Sequence, residues 1–408
     1  MRKLSKYINY LLFFYSFWVI FIIVKLLTYF FYITGFKYWR FFIKNKSVLY
    51  FENFPIENAG YQYRAKKWSD ILNENGFKSR VITTVKGRFK FEKLVQNRFK
   101  WFLIKSMVIR FLQILYSIMF QKIIVRRELL QYNDYGNLFM EKFLFSIHRK
   151  DNVILDFDDD LAAAKKQPKS KLTLFGKLLF ENGNKFNESL RLYNRFIVGS
   201  DYLRKRVLCE NTELAKENVL ILPTCVDYDV YPPKKYPDNL ENIYFGWIGG
   251  NHNYHLLDRL IPLLDELSHH YNFNLIVIGG EIYKRDVNFN IEFIPWSLKT
   301  EVQNIYKIDI GLMPLTDNAE NRGKSGFKLI QYMGLGIVSV ATNITINGEI
   351  VEHKKNSFLA NNDKQWKEIL TGILENKFDL RTIGLNARKT IKDNYTFNSK
   401  IITYRNFI

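Results

Sequence analysis

The feature that most constrains the fold is an alternation of strand-like and helix-like segments that starts again halfway along the chain. From residue 47, short runs rich in β-branched and aromatic residues alternate with helix-like segments. Pro232, Pro233 and Pro237 interrupt this alternation, which resumes near residue 243. Such alternation is typical of parallel, doubly wound sheets, whose ligands bind at the carboxyl ends of the strands. We therefore predict an α/β fold of two Rossmann-like doubly wound domains facing across a cleft.

The chain of 408 residues is long enough for two domains of this kind. We predict a hydrophobic membrane anchor or interfacial segment at residues 1–44. An N-terminal Rossmann-like domain is predicted at 45–233 and a C-terminal one at 234–390. Residues 391–408 are predicted to form a helical tail that crosses back to the first domain.

The first segment is strongly apolar. Residues 8–24 contain no charged side chain, and after Lys25 the apolar character continues to Phe36. This length is close to the ~20 residues that cross a bilayer core, and no small-residue cleavage site follows, which favours an anchor over a secretory signal. Cations flank both ends (Arg2, Lys3 and Lys6; Lys37, Arg40, Lys44 and Lys46). A spanning helix, an interfacial helix and a buried core helix therefore all remain open.

A second apolar stretch, at residues 100–119, includes Lys105 and Arg110 and is too charged to span a membrane. It fits a basic amphipathic helix at a membrane interface. It fits equally well a core helix of the first domain whose cations lie at the rim.

The net charge indicates which partners are favoured, and the cysteine content indicates whether disulfides or a zinc site are expected. Sixty Lys and Arg against forty Asp and Glu give a formal charge of +20, which favours anionic partners such as lipid head groups or nucleotide phosphates. Cys209 and Cys225 have neither CxxC spacing nor nearby histidines at metal-ligand spacing. We therefore predict two buried thiols rather than a disulfide framework or a zinc site.

The strongest candidate site is a polar loop that leads into a helix. An apolar strand ends at Pro314, and the loop after it carries Arg322 and Lys324. The predicted helix begins around Ser325, Gly326 and Phe327. Its amides and dipole would favour a phosphate, and Lys324 and Lys328 would add positive charge. The segment predicts a binding site for an anionic phosphate.

The helix reads KLIQYMGLG from Lys328 and is followed by VSVA from Val338. In order and spacing it resembles the C-terminal domain of group 1 glycosyltransferases of family 4, which are retaining enzymes with the GT-B fold, here of the bacterial surface-polysaccharide type. The resemblance extends over roughly residues 47–395. It implies a nucleotide-sugar donor, retention of configuration, no metal and no cofactor. Catalytic roles fall on Lys328, Lys324 and Arg322, and Leu329 and Gln331 join the donor-binding residues.

Two positions depart from the family pattern of paired glutamates. Gln331 stands where the second glutamate accepts hydrogen bonds from the ribose, and its side-chain carbonyl can still accept. Gly323 stands at the first, without a side chain to touch the sugar. That role is either absent or filled by a neighbour such as Glu320.

A glycine-containing turn after the first strand of the second domain is the other family feature. Here Gly249 and Gly250 are followed by Asn251 and His252, and glycines allow backbone amides to approach a pyrophosphate closely. A tight structural turn is the alternative. Trp296 lies where relatives hold the base, and either stacks on it or belongs to the core.

The first domain resembles the family more loosely. The resemblance assigns acceptor binding to a glycine-containing loop and to an Asp-rich turn (Ala59, Gly60, Tyr61 and Arg64; Asp158, Asp159 and Asp160). The Asp cluster also fits helix capping. A DxD metal pair of the other large glycosyltransferase fold is disfavoured, because that fold lacks a second α/β domain.

These features together predict a glycosyltransferase that transfers a sugar from a nucleotide-sugar to a membrane-associated glycan or lipid acceptor. We expect it at the cytoplasmic face of the bacterial inner membrane, bound to an anionic lipid surface and not to nucleic acid. No residue stands out as a general base; His148 is the least unfavourable candidate. The alternatives are a catalytically degenerate GT-B protein and a non-catalytic protein that binds anionic lipid or nucleic acid.

Overall fold

The computed structural model describes residues 2–38, 44–84, 99–130, 138–161, 185–237 and 242–408. The flanking cation Arg40 lies outside these residues. The chain forms two compact units. The first comprises Met1–Val198, Leu203–Ile221 and Ile408, and the second comprises Gly199–Tyr202 and Leu222–Phe407.

The first unit contains a parallel sheet of six strands in the order β2-β1-β3-β4-β5-β6. The strands are β1 Lys44–Glu52, β2 Lys78–Thr83, β3 Phe120–Arg126, β4 Val153–Phe157, β5 Phe196–Val198 and β6 Val219–Ile221. Strand β4 is entirely buried, and so are β1 from Ser47 and β3 from Ile123 to their ends, as expected for a sheet covered on both faces.

Helices cover this sheet. They are α2 Lys67–Glu74, preceded by a π-helical turn at Tyr61–Lys66, and α3 Phe99–Tyr116, α4 Phe139–Ile147, α5 Lys185–Leu192 and α6 Asp201–Glu210. Helix α3 leads into β3, and its Arg110 is fully buried and donates to the backbone carbonyls of Glu52 and Leu129, both at 2.8 Å. Helix α3 is therefore a core helix. Lys105 is exposed at its rim as predicted, whereas a rim position for Arg110 is wrong.

The N-terminal helix α1, Arg2–Ile33, packs on the first unit. Its Phe21 ring lies 5.1 Å from that of Phe139, and its Phe31 ring lies 6.0 Å from that of Phe143, both in α4. By length and composition, two described helical stretches could cross a membrane, Leu11–Ile33 and Phe102–Met119. The second belongs largely to α3, a helix of the core.

The second unit contains another parallel sheet of six strands, in the order β12-β11-β10-β7-β8-β9. The strands are β7 Ile243–Gly249, β8 Phe273–Gly279, β9 Asn290–Pro295, β10 Ile310–Met313, β11 Val338–Thr342 and β12 Phe358–Ala360. Apolar clusters pack on both faces of the sheet. The predicted pair of doubly wound sheets is confirmed.

The helices of the second unit follow its strands. They are α7 Tyr254–Leu257, α8 Ile261–Ser268, α9 Glu301–Tyr306, α10 Ala319–Arg322, α11 Phe327–Gly334, α12 Thr345–Ile350, α13 Asp363–Leu374, α14 Leu380–Asn394 and α15 Phe397–Phe407. Two helices, α7 and α8, lie between β7 and β8, and Pro262 lies in the first turn of α8. Cys225 is buried as predicted; a buried Cys209 is wrong, since it is exposed on α6.

Candidate functional site

The strand order of the second unit reverses between β7 and β10, which are neighbours in the sheet. Ligands of doubly wound sheets bind beyond the carboxyl ends of the strands at such a reversal. Strand β7 ends at Gly249, and β10 is followed by the buried Pro314. The glycine turn and the polar loop predicted to bind phosphate therefore leave the sheet at the same edge.

Helix α11 begins beside this edge. Gly326 precedes it with φ at +65°, a left-handed conformation that favours glycine, and Ser325 before it is half-buried. A Cβ on Gly326 would also lie 3.0 Å from the Ile350 side chain. The amides of the first turn have no acceptor within the helix and carry the positive end of its dipole. Leu329, on the inner face, is fully buried in the core.

Lys328 is the central cation of the site. It is half-buried, and its Nζ lies 3.9 Å from the centroid of the Trp247 ring. Within the described residues it has neither a carboxylate partner nor a side-chain hydrogen bond. Desolvation, and then the neighbouring Lys324, hold the pKa of Lys328 well below its ordinary value. An anionic ligand would relieve both effects.

Lys324 and His252 complete a cluster of basic side chains with Lys328. Lys324 Nζ donates to Asn253 Oδ1 at 3.0 Å. Burial lowers the pKa of His252, and Lys324 and Lys328 lower it further, whereas Glu320 opposes the shift. The three basic side chains thus lie within electrostatic reach of one another.

The glycine turn lies against the same cluster. A Cβ on Gly249 would lie 2.6 Å from Lys328 Nζ and 2.5 Å from the Trp247 ring. A Cβ on Gly250 would lie 2.7 Å from the His252 ring, and Asn251 next to it is exposed. Residues that are distant in sequence therefore meet around the glycine turn. A side chain at either glycine would fill the space next to them.

We expect Gly249→Ala to raise the KM for the donor at least fivefold, because the new methyl group would displace Lys328 or the ring beneath it, at a cost of about 1–3 kcal/mol. Steady-state kinetics with a nucleotide-sugar measure this. Gly280→Ala, at the end of the neighbouring strand, is the matched control: its Cβ would meet nothing closer than an Asn251 oxygen at 3.3 Å. Equal KM values for the two variants would remove the turn from the donor site.

Four other predicted site residues of the second unit differ in their contacts. Arg322 is exposed and forms a two-pronged ion pair with Asp317, at 2.6 and 2.9 Å. Trp296 is half-buried, and its indole N–H donates to a Glu301 carboxylate oxygen at 2.8 Å. Gln331 is 2% exposed, and its Nε2 has no hydrogen-bond partner in the described part of the chain. Phe327 packs partly against the core.

The candidate residues of the first unit surround a buried charge network at the carboxyl ends of its strands. Arg126, the last residue of β3, has its Nε 3.2 Å from Glu52 Oε2, at the end of β1. Its Nη1 lies 3.4 Å from Asp156 in β4, and its Nη2 lies 3.1 Å from Asp158. Burial raises the pKa of Glu52, and Arg126 opposes that shift. Arg126 links three strands through three carboxylates.

The predicted acceptor loop lies on this network. A Cβ on Gly60 would lie 2.9 Å from Arg126 Nη2. Arg64, in the π-helical turn, is buried and ion-paired with Asp156, and Tyr61 is buried, whereas Ala59 is half-buried. The loop backbone at Gly60 thus lies against the Arg126 guanidinium, and the Arg64 side chain is part of the network.

All three aspartates after β4 form ion pairs. Arg126 and Arg127 contact Asp158, Arg127 also contacts Asp159, and Arg206 Nε lies 3.5 Å from Asp160. Burial alone would raise the pKa of Asp158, but the arginines together hold it well below its ordinary value. In the described segments, no group of three or more His, Cys, Asp or Glu side chains is placed to hold a metal ion.

Sequence reasoning missed Glu52, Arg126 and Arg127. Each lies at the end of an apolar strand or directly after one, the position that binds ligands in this class of sheet. The sequence signal that could have identified them is a charged residue at the end of a buried strand.

His148 lies away from solvent at the end of α4. It is buried, and its Nε2 lies 2.8 Å from Ser117 Oγ. Burial lowers its pKa from 6.5 to about 4, so the ring is neutral near pH 7. These contacts give His148 a structural role in the first unit.

The buried ring makes stability depend on pH. Because the folded pKa is about 4 and the unfolded value 6.5, the unfolded chain binds more protons between these pH values, and stability falls as pH drops through that window. His148→Gln, which cannot titrate, is expected to reduce this acid-side loss, which reaches on the order of 3 kcal/mol. Thermal midpoints of both proteins, measured between about pH 7.5 and about pH 4, report this loss of stability, because the reference pKa of histidine lies inside that range. Parallel curves of thermal midpoint against pH for the two proteins would contradict a buried, neutral His148.

Residues 242–376 match the model of the family described as glycosyl transferases group 1. The matched residues all lie in the second unit, which is similar to group 1 glycosyltransferase domains. No curated protein sequence matches the chain.

Solved structures resemble the chain over most of its length. A glycosyltransferase from Rickettsia africae ESF-5 has 14% identity and a TM-score of 0.60, over 89% of this chain and 99% of that one. HepE of Anabaena, in complex with UDP and glucose, has 12% identity and a TM-score of 0.57, over 88% and 99%. WaaG, a glycosyltransferase involved in lipopolysaccharide biosynthesis, has 15% and 0.58, over 87% and 99%. At these identities the likeness shows the fold, which is that of the two-domain GT-B class.

Proposed function

We propose, from the similarity of the second unit to group 1 glycosyltransferase domains, that this chain transfers a sugar from a nucleotide-sugar to a membrane-associated glycan or lipid acceptor. The observation that carries the proposal is Lys328, a half-buried cation without a described anionic partner, beside Lys324 and the start of α11. A diphosphate supplies the negative charge that this arrangement lacks. The complex of HepE with UDP and glucose supports a nucleotide-sugar as the donor.

The proposed reaction is a displacement at the anomeric carbon. The acceptor oxygen forms a bond to that carbon, the bond from the carbon to the phosphate oxygen breaks, and a nucleoside diphosphate leaves. The acceptor proton passes to the departing phosphate oxygen on the same face, which retains the configuration. Lys328, Lys324 and the amides of α11 stabilise the charge that builds on the leaving group, so that no metal ion is needed for this purpose.

The site residues fall into two groups, one that binds the donor and one that binds the acceptor. In this proposal the glycine turn at Gly249 and Gly250 approaches the diphosphate, and the loop at Ala59 and Gly60 contributes to acceptor binding. Arg322 would reach the donor only by leaving Asp317. The charged network under Gly60 keeps that loop in place.

The acceptor class and location are also proposed. The net charge of +20 favours an anionic surface, and the apolar helix α1 favours a membrane. WaaG takes part in lipopolysaccharide biosynthesis, which supports an acceptor of the cell envelope and a place at the cytoplasmic face of the bacterial inner membrane.

A second candidate, a catalytically degenerate protein of the same fold, is favoured by two observations. Gly323 offers no side chain to a sugar, and Gln331 is almost fully buried. Such a protein would bind a nucleotide without forming a product.

Product analysis tests the proposal. The full-length protein is incubated with a panel of nucleotide-sugars and with membrane lipids and lipid-linked glycans, with and without EDTA. We expect one donor to yield a glycosylated product detected by mass spectrometry, with an unchanged rate in EDTA and a retained anomeric configuration by NMR. Donor binding without any product would support the degenerate protein instead.

A further inference from the structure

We propose that α1 is an in-plane membrane helix: it lies along one leaflet of an anionic bilayer while one face stays packed on the first unit, and it does not span. This inference concerns how the protein attaches and does not depend on sugar transfer. A transferase with a soluble acceptor could attach in the same way.

The inner face of α1 is already occupied by protein. Phe13, Phe17 and Val24 are buried, at spacings that place them on one side of the helix. The rings of Phe21 and Phe31 contact α4 on this same side. The contacts extend over most of the apolar stretch, so α1 belongs to the first unit along its length.

The outer face of α1 is apolar and exposed. Of the twenty-one exposed large hydrophobic residues in the described ranges, thirteen lie in this one helix, which places the largest exposed apolar surface there. A stripe with spacings of seven, four, three, four and seven residues runs opposite the buried side, and it consists of Ile8, Tyr15, Val19, Ile22, Leu26 and Ile33. Such a stripe on a folded domain requires a cover.

Charge indicates what covers it. The first acidic residue of the chain is Glu52, so the helix and its flanks carry only cations. Lys37 lies 5.3 Å from the ring centroids of both Tyr32 and Tyr38, an arrangement of basic and aromatic groups suited to the head-group region. An anionic leaflet complements both the apolar stripe and the cations.

Two features oppose a spanning orientation. Lys25 is exposed and lies only three residues from the middle of the apolar stretch Leu11–Ile33, where a spanning helix would carry it into hydrocarbon. Spanning would also draw the packed helix α4 into the membrane or strip it from α1. Lying in the plane keeps these contacts and lets Lys25 reach head groups from the side of the helix.

Cysteine labelling tests the orientation. Asn9→Cys and Thr34→Cys, each in a Cys209→Ser background, bracket the apolar stretch, and both positions are exposed. The exposed Cys209 of the otherwise unchanged protein marks the side on which the first unit lies. With a membrane-impermeant maleimide on sealed vesicles, we expect all three positions to react from the same side. Reaction of Asn9→Cys and Thr34→Cys from opposite sides would establish a spanning helix and overturn the proposal.

Flotation with vesicles tests the surface. We expect Val19→Glu/Ile22→Glu to lower the ratio of bound to free protein at least tenfold on mixed phosphatidylcholine and phosphatidylglycerol vesicles. Leu385→Glu/Ile402→Glu is the matched control, because these residues are equally apolar and exposed but lie in the second unit. Equal binding of the two variants would overturn the proposal. So would an unchanged protein that ignores vesicles and instead forms a dimer, since the cover would then be a second copy of the chain.

Discussion

Lys328→Ala is expected to lower kcat/KM for the nucleotide-sugar at least tenfold, while the protein stays folded. Lys328 is the half-buried cation against Trp247 and beside the glycine turn, and its only charged neighbour in the described site that shifts its pKa is Lys324. Removing it takes positive charge from the proposed leaving group, and a tenfold loss requires only about 1.4 kcal/mol of transition-state stabilisation. Initial rates at varied donor concentration, with the acceptor saturating, measure the effect.

The control for this variant is Lys364→Ala, which removes a lysine of the same unit whose side chain is 86% exposed on α13. It should leave kcat/KM unchanged, and thermal midpoints of both variants establish that each is folded. Unchanged kinetics in Lys328→Ala would remove this residue from the site.

Arg126→Met is expected to destabilise the first unit by about 3–5 kcal/mol. The substitution leaves Glu52, Asp156 and Asp158 without the guanidinium that contacts all three. Asp156 keeps its ion pair with Arg64, and Asp158 keeps its ion pair with Arg127. The loss of stability is large because the buried carboxylates must then be protonated or hydrated. Proteolysis at increasing urea concentration, followed through fragments from β1 to β4, measures the stability of this unit.

A surface pair provides the comparison for Arg126. Lys66 and Asp70 form an exposed ion pair in the same unit, and such pairs contribute about 0–1 kcal/mol. Lys66→Met should therefore shift the urea midpoint little. If Arg126→Met behaves like Lys66→Met, the network is not a source of stability.

The sheets were predictable because most strands have a recognisable pattern in their own sequence. Buried parallel strands such as β10 are continuous apolar runs of the right length, and β4 is apolar except for Asp156. The helices between the strands carry their own pattern. Strand order is a property of pairings between distant segments, so no local pattern could place β7 next to β10. The three-residue β12 is too short for any periodicity to identify.

The site was predictable in part for the same reason. The start of α11 near Ser325 followed from its loop and its lysine, but the contact between Gly249 and Lys328 depends on the neighbouring positions of two strands. Arg126 and Arg110 escaped prediction because charge in a sequence indicates solvent unless a partner is known. Apart from Gln113, which hydrogen-bonds Arg110 from three residues away, the partners are distant in sequence. They range from Leu129, 19 residues from Arg110, to Glu52, 74 residues from Arg126.

Hydrogen–deuterium exchange with and without a nucleoside diphosphate tests most directly whether the second unit binds the donor phosphates. Binding should slow exchange in peptides that contain the Gly249–Gly250 turn and the first turn of α11 around Lys328. It should leave exchange in helix α13 unchanged. Protection elsewhere in the chain, with unaltered exchange at both of these segments, would contradict the proposed site.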